Sequence, residues 1–123
     1  RGLMLVAAIA ALGAFVGDAA TLSHVSADRL WVECWRAFGF LVFAGLFVLL
    51  AWRPRQSPLL WELVFLHKAA MVATNIVAGD VPEARAGAMV DLVLCVVILC
   101  SWILTRGWLS WRGNGAGSVP TVR

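Results

Sequence analysis

The sequence predicts an all-α integral membrane protein, a four-helix bundle with both termini on the cytoplasmic side. Three observations predict it. First, 62% of the 123 residues are hydrophobic and 14% are charged, against about 45–50% and about 25% in soluble domains. One small core cannot absorb that apolar excess, so lipid is the expected solvent for much of it. Second, the apolar residues fall into four stretches, residues 2–17, 30–52, 58–78 and 84–105, each near the ~20 residues that cross a hydrocarbon layer. Third, the sign of the flanking charge alternates from one connection to the next.

The first span ends at Asp18 and carries a small-residue stripe, Ala7, Ala11 and Ala14, that runs into that carboxylate. The chain opens on Arg1 rather than Met, so a missing or processed start is expected. Arg1, the apolar run and the small residues after Asp18 also fit a signal peptide, which would leave three spans. The second span holds Glu33 and Arg36 and ends at Trp52. Pro58 is expected to open the third, because the first helical turn does not need its missing N–H. That span contains Lys68, the only lysine. The fourth shows Ala84, Gly87, Ala88, Asp91 and Cys95 at spacings of three and four, a small face that lets helices approach closely and again meets a carboxylate. Residues 1–112 thus form one transmembrane domain. Residues 113–123, with Gly, Ser and Pro, are expected to be a disordered cytoplasmic tail.

Basic residues set the orientation. Arg1, then Arg53 and Arg55, then Arg106 and Arg112 lie at one set of ends; Asp18, Asp28, Asp80 and Glu83 outnumber Arg29 and Arg85 at the other. Lys and Arg gather on the cytoplasmic side, which places the acidic connections outside, in a multi-pass protein of the plasma membrane. Trp52, Trp61, Trp102, Trp108 and Trp111 fall near the inner interface, and Trp31 and Trp35 near the outer one, as interfacial anchors do. Val-Gly-Asp at Asp18 is echoed by Ala-Gly-Asp at Asp80, the trace of two parallel hairpins.

Intramembrane charge is the functional clue, since each such group costs at least ~2.5 kcal/mol and normally faces a partner or a wet cavity. A rise of ~1.5 Å per residue places Arg36 about 9 Å and Asp91 about 10 Å from the outer end, and Lys68 about 15 Å from the inner one. Asn75 lies two turns above Lys68 on the same face. Asp18, Glu33, Arg36, Lys68, Asn75 and Asp91 are therefore expected to gather in one outer-half pocket, with Lys68 paired to Asp91 and Arg36 paired to Glu33 or Asp18. Ligand contacts are assigned to Lys68, Arg36, Asn75, Asp18 and Trp35. Asp91 or Glu33, with a pKa raised by burial, is the candidate acid or base, and His67 an alternative proton carrier.

Several chemistries are not expected. Cys34, Cys95 and Cys100 form no Cys-x-x-Cys pair, which argues against a quinone-linked disulfide oxidoreductase. His24 and His67 lie far apart, without metal-ligand spacing. The net charge of +3 is small and dispersed, unlike a nucleic-acid footprint. No cofactor motif is present.

The layout, with Trp35-Arg36-Ala37-Phe38-Gly39 and His67-Lys68-Ala69-Ala70 as alignment points, resembles that of the DoxX-like small bacterial membrane proteins across the four spans. The resemblance implies a four-helix membrane fold and a link to quinone-associated redox chemistry; no functional residue is carried over from it. The small multidrug transporters have a similar length but depend on a glutamate in the first helix, which this chain lacks. The favoured expectation is a pocket that binds a lipophilic ligand, a quinone or lipid. Its alternatives are an embedded isomerase or cyclase, a proton-coupled exporter working as a homodimer, and an accessory subunit whose charges organise packing.

Overall fold

A computed structural model describes the backbone of residues 1–79 and 82–112, with side chains for 1–79 and 85–112. Helix α1 spans Gly2–Thr21 and is followed by a 3-10 turn, Leu22–His24; α2 is Ala27–Trp52, α3 Leu60–Ala78 and α4 Pro82–Thr105, with a second 3-10 turn at Gly107–Trp111. The described residues contain no strand, and all four helices are long and apolar enough to cross a membrane. This is the all-helical architecture of a multi-pass membrane protein. The expectations for Asp80 and for the tail 113–123, and for the side chains of Glu83 and Ala84, lie outside the described residues.

The helices depart from the apolar windows at their ends. Helix α1 runs through Asp18 to Thr21, whose hydroxyl donates to the Asp18 carbonyl at 2.8 Å. A window that stops at the first charge ends too early, because the backbone ladder continues into the polar interface. Gly17 and Asp18 are thus helical, whereas Gly79, at φ +68°, terminates α3; the two glycines of the echo occupy different structural positions. Pro58 does not open α3. The Gln56 N–H closes a turn onto the Arg53 carbonyl at 3.2 Å, and Leu59 takes a left-handed conformation at φ +67°, so the helix starts at Leu60. The cause is Trp61, which is 2% exposed and donates its Nε1–H to the Pro54 carbonyl at 2.9 Å. The loop must fold back beneath that ring, which makes Trp61 a core residue and not an interfacial anchor.

Packing divides the molecule into two hairpins. Helix α1 lies along α2 and α3 lies along α4, whereas contacts between the hairpins are sparse. Their common core is Met4, Ala7 and Ala8 from α1, Phe47, Leu50 and Ala51 from α2, Trp61 and Val64 from α3, and Ile98 from α4. These residues lie toward the ends of the helices that carry Arg1, Arg53, Arg55 and Arg106, so that end of the bundle is the closed one. Arg55 ties it together by donating Nε–H to the Thr105 carbonyl at 2.9 Å. Outward-facing side chains such as Ile9, Val42, Leu66, Leu92, Val96 and Ile103 are exposed and apolar. So much contiguous apolar surface suits hydrocarbon, not water.

Candidate functional site

Two polar centres emerge, one in each hairpin. In the first, Glu33 lies one turn from both Arg29 and Arg36 on α2, where side chains three and four apart meet. Arg29 Nη2 is 3.1 Å from Glu33 Oε1, Arg36 Nη2 is 2.5 Å from Glu33 Oε2, and Arg36 Nε donates across to Asp18 Oδ2 of α1 at 2.8 Å. Two cations and two carboxylates thereby cancel. Glu33 and both arginines border a cavity of about 410 Å3 with Thr21 and His24, at the end of the bundle opposite the core.

The second centre joins α3 to α4. Lys68 Nζ donates to Asp91 Oδ1 at 2.9 Å, and the two side chains are only 7% and 10% exposed. Lys68 Nζ also lies 4.5 Å from the Phe43 ring centroid of α2, within cation–π range. The other hairpin therefore contributes to the environment of the pair. The pair forms the polar part of a groove of about 430 Å3 whose remaining wall is apolar, including Ala7, Ala11 and Ala14 of α1, Phe40, Phe43 and Phe47 of α2, and Leu94 of α4. Sparse packing between the hairpins leaves this space, and the small residues of α1 keep it from being filled. The groove runs from Leu3 of α1 at the arginine-bearing end to Ala14 of α1 and Met89 of α4, and so spans the middle of the bundle.

The expected residues separate accordingly. Asp18, Glu33 and Arg36 meet in one centre and Lys68 and Asp91 in the other; the two cavities share no lining residue. Asn75 borders neither. It packs on α4 at Gly87, where an added Cβ would come within 3.0 Å of Asn75 Nδ2. His67 is exposed, with its ring 4.6 Å from Phe43 and outside the groove lining. Trp35 is 72% exposed on the outer surface and borders neither cavity. The aromatic groups at the groove are instead Phe40, Phe43 and Phe47, which sequence reasoning missed. Their spacing of three and four was the available signal, since it sets all three on one face of α2.

Chemically, the groove presents a long apolar wall with one ammonium and one carboxylate at its side. Lysine has three N–H donors, and Asp91 takes one of them. Among the candidate acids and bases, both Glu33 oxygens are held by arginines, whereas Asp91 lies at the groove. Glu62, on another face of α3, accepts from Trp111 Nε1 at 3.0 Å, and its second oxygen is buried without a partner. In comparisons with family models, curated proteins and solved structures, nothing matches this chain.

Proposed function

We propose that this is a plasma-membrane protein with both termini cytoplasmic, and that it binds a lipophilic ligand, a quinone or a lipid, in the groove beside Lys68 and Asp91. The observation that carries the reading is the combination of a space of about 430 Å3 with a nearly all-apolar wall and a single buried ion pair. Ligand pockets commonly join an apolar lining to a few polar groups that set orientation. A ring or acyl chain would lie against Phe40, Phe43 and Phe47, and a ligand carbonyl or headgroup oxygen would accept from a remaining Lys68 N–H. Quinones enter through the DoxX-like layout as well as through this chemistry.

The pair alone would serve helix packing, and a packing role needs no cavity. The exporter reading needs a polar route from Lys68 toward Glu62, but Val64 and Trp61, both 2% exposed, follow Lys68 down the same face of α3. The isomerase or cyclase reading retains Asp91 as its acid or base.

The test is native mass spectrometry of the full chain in mild detergent, with a soluble ubiquinone analogue and a defined phospholipid offered separately. Ala11→Phe fills the groove without touching its charges, and Lys68→Met removes the donor. Retention of one probe by wild type, with loss in Ala11→Phe and weakening in Lys68→Met, is the expected result. Equal retention by wild type and Ala11→Phe, or no retention by either, would reject the groove as a binding site.

A further inference from the structure

A third cavity lies at the arginine-bearing end of the bundle, apart from the Lys68–Asp91 groove. It measures about 720 Å3 and is bordered by Arg1, Trp52, Arg53, Arg55 and Thr105. Among the described residues, three arginines line it and no carboxylate does. This contrasts with the opposite end, where Arg29 and Arg36 are neutralised by Glu33 and Asp18. The nearest acid along the chain, Glu62, is engaged by Trp111 and does not line the cleft. Residues 113–123 contain no Asp or Glu, so their side chains cannot supply the missing negative charge.

Part of the positive charge has a local task. Arg55 Nε–H bonds the Thr105 carbonyl, which places its charge at the negative end of the α4 dipole. That bond leaves the terminal amino groups of Arg55. The Arg53 guanidinium carbon sits 5.4 Å from the Trp52 ring centroid, an arrangement that steadies the side chain while leaving its donors available. Forked guanidinium groups match the oxygens of phosphate, and basic pockets at the ends of membrane helices suit anionic lipid headgroups. Trp52 and Leu104 border the same cleft and are 71% and 74% exposed. They give acyl chains an apolar path away from the charge.

We propose that this arginine-lined cleft binds a phosphate ester anion, supplied in the membrane by the headgroup of an anionic phospholipid. The assignment does not depend on which face of the membrane the cleft occupies, because headgroups line both. It is also independent of the ligand proposed for the central groove, so either can fail alone.

The experiment is lipid titration of the full-length chain, followed by native mass spectrometry, with phosphatidylglycerol as probe and phosphatidylcholine as the zwitterionic comparison. Wild type is expected to retain phosphatidylglycerol preferentially. Arg53→Gln with Arg55→Gln should weaken it roughly 25-fold, about fivefold per arginine. Arg106→Gln with Arg112→Gln removes the same charge near the same end but outside the cleft lining, and should leave binding essentially unchanged. If the double cleft variant does not fold, Arg53→Gln alone, which breaks no hydrogen bond to backbone, should still show the fivefold loss. Displacement of the lipid by millimolar inorganic phosphate would support the phosphate chemistry and overturn the lipid as its source. Equal retention of the two lipids, or equal loss in the cleft and control variants, would overturn the proposal.

Discussion

At the scale of single residues, the ion pairs differ in what they contribute. Arg36 is 51% exposed at its side chain, and a pair of that kind contributes about 0–1 kcal/mol. Lys68 and Asp91 are both buried, so removal of one partner strands the other charge. Lys68→Met is expected to destabilise the bundle by roughly 3–5 kcal/mol. Lys68→Met with Asp91→Leu should recover most of the loss, because well-packed apolar residues often replace a buried pair without penalty. Unfolding in a denaturing detergent series would check this. A double variant no more stable than Lys68→Met would mean that the bridge geometry itself, and not the stranded charge, sets the cost. The same pair explains why Asp91 and not Glu33 is the acid to test for turnover: Glu33 already holds two arginines.

At the scale of elements, helix ends are set by side chains that are distant in sequence. The first residue of the last 3-10 turn is glycine because a Cβ at position 107 would overlap the Trp102 ring and approach Trp61 Nε1 to 3.0 Å. Gly107→Ala should therefore destabilise by roughly 1–3 kcal/mol, the range for overpacking a filled site. Leu59 presents the opposite case. Its left-handed backbone costs a non-glycine residue about 1–2 kcal/mol, and its side chain is 53% exposed, so little packing would be lost. Leu59→Gly should be neutral or stabilising by up to about 1 kcal/mol. Thermal unfolding of both variants checks the pair of signs; a marked loss in Leu59→Gly would show that the leucine side chain, and not the loop conformation, holds the start of α3.

At the scale of the whole molecule, the excess of arginine and the tightest packing lie at the same end of the bundle. The arginine-bearing end is closed by Trp61, Phe47, Leu50 and Met4, and the other end is joined within the first hairpin by the Asp18–Arg36–Glu33 network. The excess of arginine at the closed end predicts that it faces the cytoplasm. A fluorescent protein fused after the last residue should fold and fluoresce, while alkaline phosphatase inserted after Gly79 should be active. Activity in the reverse pattern would invert the topology and place the arginine-lined cleft in the outer leaflet. Helix number and the hairpin arrangement were legible in advance, because hydrocarbon thickness and backbone hydrogen bonding leave few alternatives for four long apolar stretches.

The sequence by itself determined the all-helical class, the approximate spans and the Lys68–Asp91 and Arg36 pairings, because each follows from length, polarity or axial height. It did not determine which charges share a site. Axial height places Arg36 and Asp91 at comparable levels, about 9 and 10 Å from the outer end, but rotation about each helix and the separation of two hairpins decide which charges meet. Only the tertiary structure divided the charges into two centres, left Trp35 on the outer surface, sent Asn75 to Gly87, and put Phe40, Phe43 and Phe47 at the groove. It also moved the start of α3 beyond Pro58, since burial of Trp61 forces the preceding loop beneath its ring. The physical reason is common to all of these: hydropathy measures how far a residue must stay from water, whereas interhelical packing selects the neighbours it finds there.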